Sequence, residues 1–175
     1  MIKVKWIAIP PVTRFIAAVA KEIERKFLVR DDAWRAGAER ALDIRQFYLV
    51  AAVDRTVRVR IVDAASAMLT LKFGAVGLGR DEFEYAISLA EAAEMQAYAI
   101  GRVIAKTRHH VNHGGRLYEV DVFGGELGGL VIAELEDADA WSERQLPPWI
   151  GREVTGEPAY YNAALALSEA VAATT

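Results

Sequence analysis

Two sets of charged side chains recur at alternate positions in short segments of this chain. The acidic set is Glu22/Glu24, Glu82/Glu84, Glu119/Asp121 and Glu134/Glu136. The basic set is Lys26, Arg58/Arg60, Lys72 and Lys106/Arg108. In an extended chain residues i and i+2 point the same way, so each pair shares one face of a strand. Neighbouring carboxylates repel by several tenths of a kcal/mol unless a cation sits among them. Paired hard oxygen donors suit Mg²⁺ or Mn²⁺. Paired Lys and Arg suit a polyanion, because the guanidinium fork matches phosphate oxygens. An ordinary solvated strand face mixes both signs with Ser, Thr and Asn. Here the strands are sorted by sign. That sorting points to metal-dependent binding of a compact polyanion.

The elements that must hold these groups read as strands. Opposite the charged positions stand Ile23 and Phe27, Val57, Val59 and Ile61, Leu69, Leu71 and Phe73, Phe83 and Tyr85, Val120 and Val122, and Val131, Ala133 and Leu135. One further strand, Ile44 to Val50, is more neutral and places Gln46 and Tyr48 on a shared face. Turns fall at Gly74–Gly79, Asn112–Gly115 and Gly124–Gly129. Ser88-Leu89-Ala90-Glu91 is a capping box that opens a helix to about Ala99. A short helix is expected from near Asp139 to before Pro147-Pro148, and a final one from about Tyr160 to Ala172. The expected class is α+β: an eight-stranded antiparallel β-barrel with charged faces inward and helices over its apolar outside. Charges in such a lumen must be paired, hydrated or ion-bound, since an uncompensated buried charge costs several kcal/mol.

Composition excludes other chemistry. Cysteine is absent, which removes disulfides, thiolate metal sites and cysteine nucleophiles. The 24 acidic and 21 basic residues leave a net charge of −3, which argues against nucleic-acid binding. No apolar run approaches the roughly 18 residues of a membrane span. Pro10, Pro11 and Arg14 interrupt the apolar stretch that follows Lys3 and Lys5, so it does not read as a secretion signal. A cytoplasmic protein is expected, as monomer or homodimer.

At Glu22-Ile23-Glu24-Arg25-Lys26 the chain resembles the opening strand of the CYTH family, the triphosphate tunnel metalloenzymes. Its order relative to Arg58-Val59-Arg60, Leu71-Lys72-Phe73, Glu82-Phe83-Glu84, Lys106-Thr107-Arg108, Glu119-Val120-Asp121 and Glu134-Leu135-Glu136 strengthens the match. Glu153-Val154-Thr155-Gly156-Glu157, followed by Tyr160 and Asn162, resembles the short bacterial members. The resemblance spans about residues 20–168. It implies an eight-stranded tunnel that binds triphosphates with Mg²⁺ or Mn²⁺ and, for short bacterial members, hydrolyses inorganic triphosphate to pyrophosphate and phosphate.

By the same resemblance Glu22, Glu24, Glu82, Glu84, Asp121, Glu134 and Glu136 would lie on the metal side, with Glu119 beside them. Lys26, Arg58, Arg60, Lys72, Lys106 and Arg108 would grip phosphate. Lys26, Tyr48 and Arg60 would take part in catalysis, with Tyr48 beside Lys26 to tune or position it. Residues 1–18 have no family counterpart. They are expected to come from an upstream start, with the native start at Val19; residues 1–19 are taken as an N-terminal extension and residues 20–175 as the tunnel domain. Alternative readings are a nucleoside or thiamine triphosphatase, an adenylate cyclase of the same fold, or a non-catalytic triphosphate-binding module. Outside the site, His110 is expected at the tunnel mouth, and His109 and His113 outside it or in the turn. Arg25 is expected in a surface ion pair. The four tryptophans are read as packing groups, and Gly74–Gly79 lacks the G-K-[ST] of a phosphate loop.

Overall fold

The computed structural model describes residues 24–74, 81–136 and 146–168. Its strands are β1 (Glu24–Val29), β2 (Ala38–Ala51), β3 (Arg55–Val62), β4 (Ser66–Phe73), β5 (Asp81–Ile87), β6 (Ile100–His113), β7 (Arg116–Phe123), β8 (Val131–Glu136) and β9 (Ile150–Glu153). Helix α1 (Leu89–Gln96) lies between β5 and β6, and α2 (Asn162–Leu167) follows β9. The strands form one antiparallel sheet in the order β5-β4-β3-β2-β6-β7-β8-β1-β9. Among the described residues it holds nine strands where eight were expected. The added one is β9, which follows Pro147-Pro148 and whose four residues are too few to show an alternation in the sequence. Among the described residues β5 and β9 are its end strands.

Register decides which side chains meet. Glu24 stands opposite Glu136, and Lys26 opposite Glu134. Glu119 pairs with Glu134, and Arg108 with Asp121. Gln46 pairs with Arg60, Tyr48 with Arg58, Thr70 with Glu84, and Lys72 with Glu82. Directly opposed residues share a face, so every charged group within the described residues that alternation assigned to one side lies on one continuous face.

The other face is apolar and covered in two halves. Over β1, β6, β7 and β8, Phe27, Val111, Tyr118, Val120, Ala133 and Leu135 pack with Trp34 and Trp149. Trp34 comes from a short 3₁₀ helix, Asp32–Gly37, capped by the Asp31 side chain and not foreseen from sequence. Over β2, β3 and β4, Phe47, Val59 and Ala67 pack under Ala92 of α1, with Met95 beside it. The capping box of α1 forms as expected: Ser88 Oγ accepts from Glu91 N, and the Glu91 carboxylate accepts from Ser88 N at 2.8 Å. The helix expected near Asp139 falls largely outside the described residues, as do Glu22, residues 1–19 and the end of the final helix.

The position of α2 departs from expectation. It sits on the charged face rather than outside it, because that face turns apolar at one end. Leu28 follows Lys26, Ile132 precedes Glu134, Phe123 follows Asp121 and Ile104 precedes Lys106 in the same alternation. These residues and Tyr48 enclose Leu165 and Ala166. Leu28 and Tyr48 lie on strands four steps apart in the sheet order, about 19 Å in a flat sheet. One helix and its apolar surround reach both, so the sheet is curved with α2 in its concavity. No helix among the described residues is long and apolar enough to cross a membrane.

Two junctions fix this arrangement. Gly101 has φ +67°, and a Cβ there would lie 2.2 Å from the Ala166 carbonyl oxygen. Gly101→Ala should lower stability by more than about 2 kcal/mol in urea unfolding; an unchanged midpoint would contradict the close approach. At the β1–β9 junction Arg25 donates to Glu153 through Nε at 3.0 Å and Nη2 at 2.6 Å. The Arg25 bonds, helped by Thr155, hold the Glu153 carboxyl below its usual range. Because the folded value is depressed, the stabilisation is present above about pH 4.3 and is lost as pH falls through the folded value. The pair is largely exposed and worth at most about 1 kcal/mol. The gap in urea midpoint between wild type and Glu153→Gln should close between pH 6 and pH 3, and a pH-independent gap would contradict the linkage.

Candidate active site

The charged face is organised around buried groups. Lys26, Arg58, Lys106, Arg108, Asp121 and Glu134 are all buried. The guanidinium of Arg108 joins three strands. Its Nε and Nη2 reach the two Asp121 oxygens at 2.7 Å each, Nη2 also reaches Glu134 at 2.6 Å, and Nη1 donates to Glu119. Lys106 Nζ donates to Asp121 at 2.5 Å and to Asn162 Oδ1 of α2 at 3.4 Å. Lys26 Nζ donates to Glu134 and lies 3.1 Å from Glu24. Across the sheet, Lys72 pairs with Glu82 at 2.7 Å. Arg58 Nη2 donates to Thr70 Oγ1 at 3.2 Å, and Thr70 in turn donates to Glu84 at 2.9 Å.

Protonation follows from burial set against partners. Burial opposes the charge on Lys26, but Glu134 and Glu24 outweigh it and hold the ammonium above its ordinary value. Burial would also raise the Glu134 carboxyl, yet Lys26, Lys106 and Arg108 together hold it well below the carboxylate range. Lys106 is pushed down to about 8 by burial and by Arg108 beside it, with Asp121 opposing. Burial raises the Tyr48 phenol, against the pull of Arg58, Arg60, Lys72 and Lys26. Tyr48 therefore stays protonated at neutral pH, at the boundary between the cations and the apolar end.

Arg60 stands apart. Its Nε donates to the neutral Gln46 Oε1 at 3.3 Å, and it makes no ion pair among the described residues. Burial, then Arg58 and Arg108, push it down to about 10. It is a cation held among cations, and an anion placed there would relieve the repulsion.

At the rim, Glu24 and Glu136 oppose each other on β1 and β8, with Glu134 next along. These are oxygen donors only, which fits a hard divalent ion. Among the described residues no three acidic or histidine side chains converge enough to hold an ion alone. An ion here must fill its shell with water and substrate oxygens, as Mg²⁺ commonly does.

Residues 20–163 match the CYTH domain. The chain belongs to this family. It is 43% identical over 148 residues to the inorganic triphosphatase of Acetivibrio thermocellus, covering 84% of this chain and 94% of that one. It is 38% identical over 151 residues to the inorganic triphosphatase of Nitrosomonas europaea, covering 84% and 97%. The crystal structure of the inorganic triphosphatase NE1496 superposes with TM-score 0.66 at 35% identity, covering 86% of this chain and 97% of that one. HpAC1 from Hippeastrum, at 18% identity and TM-score 0.53 over 67% of this chain and 80% of its own, shares the fold alone.

Within this CYTH chain the structure gathers on one face all the residues singled out from sequence except Glu22, which lies outside the described residues. His110 joins them, 3.5 Å from Glu119. His109 is on the opposite face, its ring 4.9 Å from that of Trp34, and His113 ends β6 at the turn. Three polar members had no role assigned from sequence: Gln46, Thr70 and Asn162. Gln46 and Thr70 share the alternation of their charged neighbours, which was the available signal. Asn162 contacts Lys106 across a sequence separation that no local pattern encodes.

The network has a measurable signature. Arg108→Met should cost about 3–5 kcal/mol in urea unfolding, because it strips buried carboxylates of their shared cation. Arg25→Met, at the exposed outer pair, should cost less than about 1 kcal/mol. Equal losses would mean that the buried network does not depend on Arg108.

Proposed function

We propose that this chain is an inorganic triphosphatase, hydrolysing tripolyphosphate to pyrophosphate and phosphate with Mg²⁺ or Mn²⁺. The observation that carries the reading is the row of buried and half-buried cations in which Arg60 has no carboxylate partner among the described residues. The two relatives at 43% and 38% identity, both named inorganic triphosphatase, support it. In this reading the curved sheet wraps the substrate as a tunnel, and the tunnel domain is assigned to residues 20–175 of the sequence after an N-terminal extension.

Lys26, Arg58, Arg60, Lys72, Lys106 and Arg108 would grip the phosphate oxygens. Glu24, Glu136 and Glu134, with Glu22, Asp121, Glu82 and Glu84 contributing, would hold the metal side. The bound metal would screen phosphate charge and lower the pKa of a coordinated water. The chain's own work is positioning and charge stabilisation. As the bridging P–O bond to the pyrophosphate leaving group lengthens, negative charge grows on that oxygen, and fixed guanidinium and ammonium groups stabilise it. Lys26, held protonated by Glu134 and Glu24, can donate a hydrogen bond to a phosphate oxygen throughout. Tyr48, protonated and wedged at the end of the cation row, would fix where the chain of phosphates stops.

The apolar end favours an inorganic substrate. Leu165 and Ala166 of α2 pack into that end of the concavity among apolar side chains that offer no polar group to a base or a thiazole. At the other end Glu24 and Glu136 stand opposite each other, two like charges that would repel an anionic group unless metal is bound between them. The test is phosphate release from tripolyphosphate, ATP and thiamine triphosphate, each with Mg²⁺, Mn²⁺ or EDTA. Tripolyphosphate should turn over fastest and only with metal, and Arg60→Ala should lower kcat/KM about a hundredfold. Faster ATP or thiamine triphosphate turnover would overturn the substrate assignment, and binding without turnover in either metal would overturn the enzyme reading.

A further inference from the structure

Gln46 is fully buried on the charged face, opposite Arg60 on β3 and Ile104 on β6. Its two amide ends are used unequally. Oε1 accepts from Arg60 Nε at 3.3 Å, whereas Nε2 finds no hydrogen-bond partner among the described residues. A buried donor left unpaired is costly, and such groups persist where function requires them. The contrast with neighbouring cations is sharp. Arg108 is neutralised by Asp121, Glu134 and Glu119, Lys26 by Glu134 and Glu24, and Lys72 by Glu82. Arg58 also bonds a neutral oxygen, the Thr70 hydroxyl, but still lies 3.8 Å from Glu84 and 3.9 Å from Glu82; Arg60 has no carboxylate at ion-pair distance among the described residues.

We propose that Gln46 is a positioning residue of the oxyanion site, fixing the Arg60 fork through a neutral acceptor so that its charge, and the unpaired Gln46 amide donor beside it, stay available to a phosphate oxygen. A carboxylate at this position would orient Arg60 equally well but cancel it. Tethering through Nε leaves both terminal nitrogens of the guanidinium, the pair that binds phosphate in bidentate fashion, free of the anchor. The arrangement trades stability for binding: the unliganded fold carries an uncompensated cation and an unsatisfied donor that a bound anion would resolve. The assignment of the anion as triphosphate rests on the proposed function; the trade-off does not.

Gln46→Glu separates the two roles because it changes charge at nearly constant shape. The purified unliganded protein should melt about 2–4 °C higher than wild type, since Arg60 gains a counter-ion. Its Kd for tripolyphosphate, by calorimetry with Mg²⁺, should weaken about tenfold or more. A merely structural glutamine would give the reverse: a lower melting temperature with an unchanged Kd. Either an unraised melting temperature or an unchanged Kd for Gln46→Glu overturns the proposal. Should that variant fail to fold, it has not gained the stabilising pair, and the proposal fails with it. Gln46→Met, which removes the tether without adding charge, should also weaken tripolyphosphate binding several-fold, and an unchanged Kd there would count equally against the proposal. If wild-type protein binds no tripolyphosphate, the functional reading falls, while the melting comparison still decides the role of Gln46.

Discussion

Arg108 is the group on which the charged face depends. It sits on β6 and binds carboxylates from β7 and β8 at once, so its position ties three strands in one register. A slip of one residue in any of them would send its charged set to the apolar side. Desolvating such a cluster is expensive, and the geometry must be good before the Coulomb attraction offsets the cost. Sheet register, burial and charge pairing are therefore one constraint, not three. The apolar clusters under Trp34 and under α1 hold the sheet from outside, and the ion-pair network decides which registers the sheet can tolerate.

The concave face is graded along the strands. Carboxylates stand at the rim, alternating cations and carboxylates fill the middle, and Leu28, Ile104, Phe123 and Ile132 close the far end against α2. The gradient explains how a charged cavity and a folded core coexist in one layer. A face charged along its whole length would leave α2 nothing to bury, and an apolar face would leave nothing to bind an anion. Asn162, at the first turn of α2, reaches Lys106 and so joins the plug to the last cation of the row.

Much of this was legible in the sequence because strand alternation is local. Glu134 and Glu136 on β8, or Arg58 and Arg60 on β3, declare their face by spacing alone, and Ser88 with Glu91 declares the start of α1. What was not legible depends on contacts between distant segments. The apolar members of the charged rows read as ordinary breaks in a pattern until α2 is seen lying on them. The 3₁₀ helix carrying Trp34 is too short for a helical period, and β9 too short for a strand period. Gln46 was visible as the neutral member of a charged set. Its significance needed the knowledge that Arg60 faces it and that no carboxylate among the described residues does.

A ligand-free site of this kind must hold its cations without spending them. Most are held by carboxylates, which keeps the fold stable but leaves each cation already paired when a polyanion arrives. On the proposed function exchange would then decide affinity: phosphate would displace a carboxylate from a cation, and the released carboxylate would become available to a divalent ion. Anion and metal would thus bind with positive coupling, each supplying the partner that the other removes. A wholly paired network would resist the first step, because breaking any buried pair exposes two charges at once. Arg60, held by an amide, would on that reading provide an entry point at which a phosphate oxygen could bind before any pair is broken. In this arrangement the least compensated residue of the site is the one that lets the compensated ones exchange partners.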